Sequence, residues 1–273
     1  MLAREPSRTA LGAAAHRAAH QLDGAHLFAD PLAIGIVGED NARESHAAAA
    51  NAGMRIFIAA RSRFAEDTLA ESLARGVTQL VLLGAGLDTY AYRGTERDRL
   101  QIFEVDHPAT QAWKRERLEA IGVAPAANVH YAPVDFENQR IVDGLARAGF
   151  DPNQRTFHFW LGVSPYLTRA AIDATWALIA HNPGGGEVVF DYAVPRALIP
   201  EEHREGFDAL AARVAAAGEP FLTAFEPNEL AAALHAAGFT TINDVTLGDI
   251  LAKHFPQLPR SGARGHIVHA MTA

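Results

Sequence analysis

The sequence contains no cysteine, which excludes disulfides, thiolate metal ligands and cysteine nucleophiles together. It has no apolar run approaching the roughly 20 residues that span a bilayer. The alanine-rich stretch 9–15 is cut by His16 and Arg17 before it reaches the length of a signal peptide, so a cytoplasmic protein with no membrane partner is the expectation. A basic surplus is also missing: 24 Lys and Arg stand against 32 Asp and Glu, a formal charge of -8. No segment gathers Lys and Arg without acidic neighbours, and a phosphate backbone finds little to neutralise. Nucleic acid is therefore not an expected partner.

What is present is the composition of an ordinary globular protein, with 49% hydrophobic and 21% charged residues, enough apolar surface for a sizeable core. At 273 residues the chain fits one large α/β domain carrying additions. Residues 1–75 read as a helical cap, with Ser7 or Thr9 as N-cap candidates. The period then changes. Short apolar runs at 79–83, 101–106, 128–135, 156–163 and 187–192 alternate with helix-length stretches at 108–121, 137–148 and 169–180, the pattern of a parallel, doubly wound, Rossmann-like sheet over 76–194. Helices follow within 195–239 as a lid insertion, and 240–273 closes with a pair of edge strands near 240–247 and 265–272.

The strongest local signal is Gly84-Ala85-Gly86 directly after a buried strand. Glycines there let the backbone approach a ligand at the carboxyl end of the first strand, where open α/β sheets place their sites. Glu104 and Asp106 end the next strand about twenty residues on, the spacing from which a carboxylate reaches ribose hydroxyls. Asp135 closes the third strand and is placed to reach an adenine amino group, with Phe136 beside it to cover the ring. A dinucleotide fingerprint wants a third glycine and a long helix facing the pyrophosphate. Here Thr89 holds that position and 90–99 is a poor helix, which favours S-adenosylmethionine over NAD as cofactor.

Arg61 stands at helical spacing from Phe57, Phe64 and Ala65 on an apolar face. A guanidinium placed there needs an anion, either a core carboxylate or the carboxylate of the methionine moiety, which suits its fork geometry. His16 and His20 share a helix face but have no third ligand in view, so no metal is expected. Ser164 lacks the second glycine of a nucleophile elbow.

In combination, the motifs at 7–11, 28–33, 60–64, 83–89, 104–106, 134–136 and 161–167 resemble those of the leucine carboxyl methyltransferase family. The match is to its bacterial small-molecule O-methyltransferase branch, which includes sequences described as acting in polyketide biosynthesis. The resemblance implies a seven-stranded, mostly parallel sheet under an N-terminal helical cap. It also implies that Arg61 meets the methionine carboxylate, that Gly84, Ala85 and Gly86 pass beneath the cofactor, that Asp106 holds the ribose, and that Asp135 and Phe136 flank the adenine. Two positions depart from the family pattern: Leu161 stands where a glutamate is usual beside the cofactor, and Tyr90 where an arginine is common. Tyr90 and Tyr166 are candidates to line the pocket of a small-molecule methyl acceptor. No catalytic base stands out, which favours an acceptor that ionises readily. A nicotinamide oxidoreductase and a non-catalytic cofactor-binding protein are the competing readings.

Overall fold

The computed structural model describes residues 6–24, 27–48, 52–136, 138–255 and 265–273. Its strands are β1 (Gln79–Leu83), β2 (Gln101–Asp106), β3 (Val129–Pro133), β4 (Thr156–Trp160), β5 (Gly186–Tyr192), β6 (Thr241–Thr246) and β7 (His266–Met271). They form one mixed sheet in the order β3-β2-β1-β4-β5-β7-β6. By its internal contacts the chain divides into two compact units, Met1–Phe157 and His158–Ala273.

In the first unit, the described residues before β1 form the helices α1 (Arg8–His20), α2 (Ala33–Val37), α3 (Glu39–Ala47) and α4 (Ala52–Leu73). Ser7 starts α1 by accepting the amide of Ala10 on its side chain at 3.3 Å, which satisfies one of the orphan donors of the first turn. α1 packs against α2, α3 and α4. β1, β2 and β3 run parallel, with Leu82 opposite Glu104 and Glu104 opposite Tyr131. All five residues of β1 are buried, as a strand covered on both faces requires. Phe103 anchors this core, stacked on His130 at 4.9 Å and edge-on to Phe150 at 5.5 Å. Between the strands lie α5 (Tyr90–Arg93), α6 (Pro108–Ala120) and α7 (Ile141–Arg147).

The second unit holds α8 (Arg169–Ala180), α9 (Glu201–Ala216), α10 (Pro227–Ala237) and α11 (Leu247–His254). β7 pairs antiparallel with both β5 and β6, so the expected terminal strand pair is present. Its core is aromatic: Trp176 lies 6.0 Å from Phe190 and 5.6 Å from Phe225, and Trp160 lies 5.7 Å from Phe190.

The elements differ from the sequence expectations at a few ends. The second helix-length stretch begins at Ile141 rather than at 137, and Glu137 itself lies outside the described residues. Leu247, expected to end a strand, instead starts α11, because Thr246 and Asp249 form a reciprocal capping box that turns the chain into a helix. Among the described residues no helix is long and apolar enough to cross a membrane.

Candidate functional site

The first unit collects most of the sequence-selected residues at the carboxyl ends of its parallel strands. Gly84 and Gly86 leave β1 with φ of 66° and 48°, a left-handed backbone that side chains with a Cβ seldom adopt. The bend is fixed from the next strand. Ala85 donates its amide to the carbonyl of Val105 at 3.0 Å, and Gly86 donates to Oδ2 of Asp106 at 2.5 Å. Oδ1 of Asp106 accepts the amide of His107 at 2.7 Å. Asp106 is mostly buried, and burial raises its pKa from the ordinary carboxylate value against the lowering effect of those two amides. A carboxylate has about four acceptor positions, so two hydrogen bonds leave capacity for a ribose hydroxyl.

At the end of β3, Asp135 is half-buried and accepts from Asn138 Nδ2 at 2.8 Å. Phe136 follows it with its ring 44% exposed. An exposed aromatic face of this kind can take a stacked planar group.

Glu104, two residues before Asp106 on β2, is the more deeply buried of the two. It is fully buried and bonded to Lys114 Nζ on α6 at 2.7 Å, with the Tyr92 hydroxyl at 3.4 Å. That hydroxyl is also 2.8 Å from the hydroxyl of Tyr131. Burial raises the Glu104 pKa, with Lys114 opposing. α6 covers the strand at that depth and supplies Lys114 as the partner in this buried ion pair. Tyr90 is likewise only 2% exposed. A Cβ on Gly94 would stand 2.6 Å from its ring, so the ring packs on bare backbone. Most of the Tyr90 surface is thus consumed by packing.

Arg61 sits on the buried face of α4 with Ile58, Ala65 and Leu69, its guanidinium 5.9 Å from the Phe57 ring centroid. Arg63, on a more exposed face, pairs with Asp67 at 2.8 Å.

Sequence reasoning missed a buried charge cluster. Arg17 of α1 donates from Nη2 to Asp30 Oδ2 and from Nη1 to Asp88 Oδ2, both at 2.5 Å. Asp88 follows the glycine bend, and its pKa is pushed down to about 2: burial alone would raise it, but Arg17 and then Arg93 outweigh burial. Arg93 in turn holds Glu66 at 2.6 Å. Unpaired charges at this depth are strongly disfavoured, so the buried position of Arg17 among the alanines of α1 was the one available signal.

In the second unit, Leu161 is half-buried and precedes Gly162, whose φ is 71°. Asp191 Oδ1 accepts the Gly162 amide at 2.5 Å, and the Ser164 hydroxyl donates to the Asp191 carbonyl at 2.6 Å. This ties the turn after β4 to the end of β5. Tyr166 is half-buried against Phe221, 5.3 Å between centroids, and Phe221 stacks on Phe207 of α9 at 6.1 Å. A separate open cleft of about 470 Å³ is lined by Arg169, Leu222, Phe225 and Glu229 among others. Its arginine is paired with Asp173 at 2.8 Å.

A model of the leucine carboxyl methyltransferase family matches residues 10–180 of the chain. A Bacillus subtilis protein assigned to the S-adenosyl-L-methionine-dependent methyltransferases is 35% identical over 193 residues, which span 70% of this chain and 63% of that protein. A Mycolicibacterium paratuberculosis protein with the same assignment is 30% identical over 275 residues, covering 93% of this chain and 87% of that protein. The chain thus spans just under two thirds of the first relative's length and most of the second's. Among solved structures, a duf574 family protein from Streptomyces avermitilis aligns over 100% of both chains with a TM-score of 0.63 at 10% identity. A methyltransferase-assigned protein from Thermobifida fusca aligns over 99% of this chain and 96% of its own with a TM-score of 0.59 at 15% identity. At such identities the structures speak to the fold alone, a seven-stranded mixed sheet with flanking helices. The sequence matches go further: the chain belongs to the leucine carboxyl methyltransferase family.

Proposed function

We propose that the chain binds S-adenosylmethionine across the carboxyl ends of β1, β2 and β3 and methylates an oxygen of a small-molecule acceptor. The observation that carries this reading is the glycine bend, closed by the Gly86 amide on Asp106 at 2.5 Å, with the exposed ring of Phe136 at the end of the third strand. Side chains on Gly84 or Gly86 would strain the bend. The backbone of Gly84, Ala85 and Gly86 passes beneath the ligand, Asp106 takes the ribose hydroxyls on its remaining acceptor positions, and Asp135 and Phe136 flank the adenine. Arg61 holds the methionine carboxylate.

A nicotinamide dinucleotide fits these elements less well. The only helix directly after the bend is the single turn Tyr90–Arg93, too short to place a developed helix dipole on a pyrophosphate.

Bound S-adenosylmethionine supplies a methyl carbon attached to a positively charged sulfur. The residues of this chain hold the acceptor oxygen near that carbon, opposite the sulfur, and exclude water, which is the main catalytic contribution such a displacement needs. A carboxylate acceptor is already ionised at neutral pH and requires positioning alone, whereas a phenol, with a reference pKa of about 10, requires a base. The family membership and the lack of a dedicated base together favour a carboxylate.

The test is a methyl-transfer screen of carboxylic acids and phenols with S-adenosylmethionine. A methyl ester formed in step with S-adenosylhomocysteine supports the reading. Saturable cofactor binding with no product across a broad panel removes the enzyme and leaves a binding protein.

A further inference from the structure

The buried cluster around Arg17 joins two parts of the first unit that the sequence keeps far apart. Arg17 lies on α1, and Asp88 follows the glycine bend 71 positions later. Arg17 and Asp30 are 6% and 0% exposed. The guanidinium is used at each end: Nε and Nη2 donate to Asp30 Oδ2 at 3.1 and 2.5 Å, and Nη1 to Asp88 Oδ2 at 2.5 Å. Nη2 also donates to Thr89 Oγ1 at 3.0 Å, and that hydroxyl donates to Asp30 at 2.7 Å. Arg93 approaches from the other side, donating to Thr89 Oγ1 at 2.8 Å and to Glu66 of α4 at 2.6 Å. The Phe28 ring lies beneath both guanidiniums, 5.4 Å from Arg17 and 4.5 Å from Arg93.

Asp88 also shapes the bend. Its amide donates to the Ala85 carbonyl at 2.8 Å, and its Oδ1 accepts the Tyr90 amide at 2.7 Å. One carboxylate therefore fixes the exit of the glycine bend through Oδ1 and grips α1 through Oδ2. An independent contact puts α1 in the same place. A Cβ built on Gly86 would stand 3.4 Å from the Ala10 side chain, so the first turn of α1 rests against the backbone assigned to the cofactor.

We propose that Arg17 is a positioning residue that couples cofactor binding at the glycine bend to the docking of α1. It acts through Asp88: the bend geometry that accepts the cofactor and the ionic contact that seats α1 are one constraint. Coupling of this kind is reciprocal, so a ligand that steadies the bend steadies α1, and loosening α1 weakens the ligand by the same factor. Guanidinium geometry is essential, because only a planar fork bridges two carboxylates and a hydroxyl at once; an ammonium at the same position is a point charge on one partner. The inference rests on the cofactor reading above.

The experiment is hydrogen exchange with and without S-adenosylhomocysteine, read at residues 8–20 and 84–93, alongside calorimetric titration, in the wild type, Arg17→Lys and Asp88→Asn. In the wild type the ligand is expected to slow exchange in both segments. Arg17→Lys, which keeps the charge, is expected to bind about tenfold more weakly and to lose ligand-induced protection at 8–20 while keeping it at 84–93. Asp88→Asn, made at the other end of the contact, is expected to raise exchange at 8–20 without any change in α1 itself. Retention of both wild-type affinity and protection of 8–20 in Arg17→Lys overturns the inference, as does wild-type protection confined to 84–93; in both cases the cofactor reading survives. No ligand binding by the wild type overturns the cofactor reading and this inference with it.

Discussion

The backbone amide of Gly86 sits 2.5 Å from Oδ2 of Asp106, so the acid at the end of one strand sets the shape of the bend at the end of its neighbour. The residue assigned to the ribose and the residues assigned beneath the cofactor are thus one structural unit. Asp106→Asn keeps one acceptor oxygen, enough for the Gly86 or the His107 amide but not both, and is expected to cost S-adenosylhomocysteine affinity about tenfold and stability about 1 kcal/mol. Asp106→Ala leaves the Gly86 amide without its acceptor and is expected to lower stability as well, by about 1–3 kcal/mol. Chemical denaturation and calorimetry on the two variants separate these effects.

Phe136 offers a cleaner probe, because its ring is already 44% exposed and supports little of the fold. Phe136→Ala is expected to leave the melting temperature within a degree or two while weakening S-adenosylhomocysteine by about 1 kcal/mol, the size of an aromatic stacking contact. Unchanged affinity would remove Phe136 from the adenine site.

The Glu104–Lys114 pair makes the opposite kind of prediction. Both side chains are buried, with exposures of 0% and 1%. Lys114→Met strands a buried acid and is expected to cost about 3–5 kcal/mol, whereas Lys114→Met combined with Glu104→Gln is expected to recover much of it, since a buried pair is worth little more than an apolar replacement. Urea titrations of the single and double variants check this.

His158 sets an acid limit on stability. Burial in β4 lowers its pKa from 6.5 to about 4, against the raising effect of the Glu187 carbonyl, to which Nδ1 is hydrogen-bonded at 2.9 Å. Between those two values the unfolded chain binds the proton and the folded chain does not, so stability rises with pH across that window. It is fully present above 6.5 and is lost as pH falls toward 4, by about 3 kcal/mol in all. His158→Gln keeps a donor for the carbonyl and is expected to flatten this part of the pH profile. An equal slope in wild type and variant would contradict the assignment.

Much of the fold was legible in the sequence because parallel strands buried on both faces leave continuous apolar runs. Those runs at 79–83 and 101–106 coincide with β1 and β2. The carboxyl ends of β1, β2 and β3 lead into Gly84 and Gly86, Asp106, and Phe136, all within the first unit. Depth along a strand was not legible. Glu104 and Asp106 share a face by the two-residue period, yet α6 covers the first and supplies Lys114, while the second reaches the bend. Leu247 was misplaced because an apolar residue after a β-rich stretch reads as strand until the Thr246 and Asp249 capping pair is weighed. The partners of Arg17 could not be read, since they stand 13 and 71 positions away and no spacing rule connects them; only its place among the alanines of α1 hinted that it would need an anion.

The most direct test of the central claim is calorimetric titration of the wild type with S-adenosylhomocysteine and, separately, with NADH. One saturable site for S-adenosylhomocysteine, weakened at least tenfold in Arg61→Ala and absent for NADH, is the expected result. Tight NADH binding, or no heat with S-adenosylhomocysteine, contradicts the claim that the Gly84–Gly86 bend is an adenosyl-methionine site.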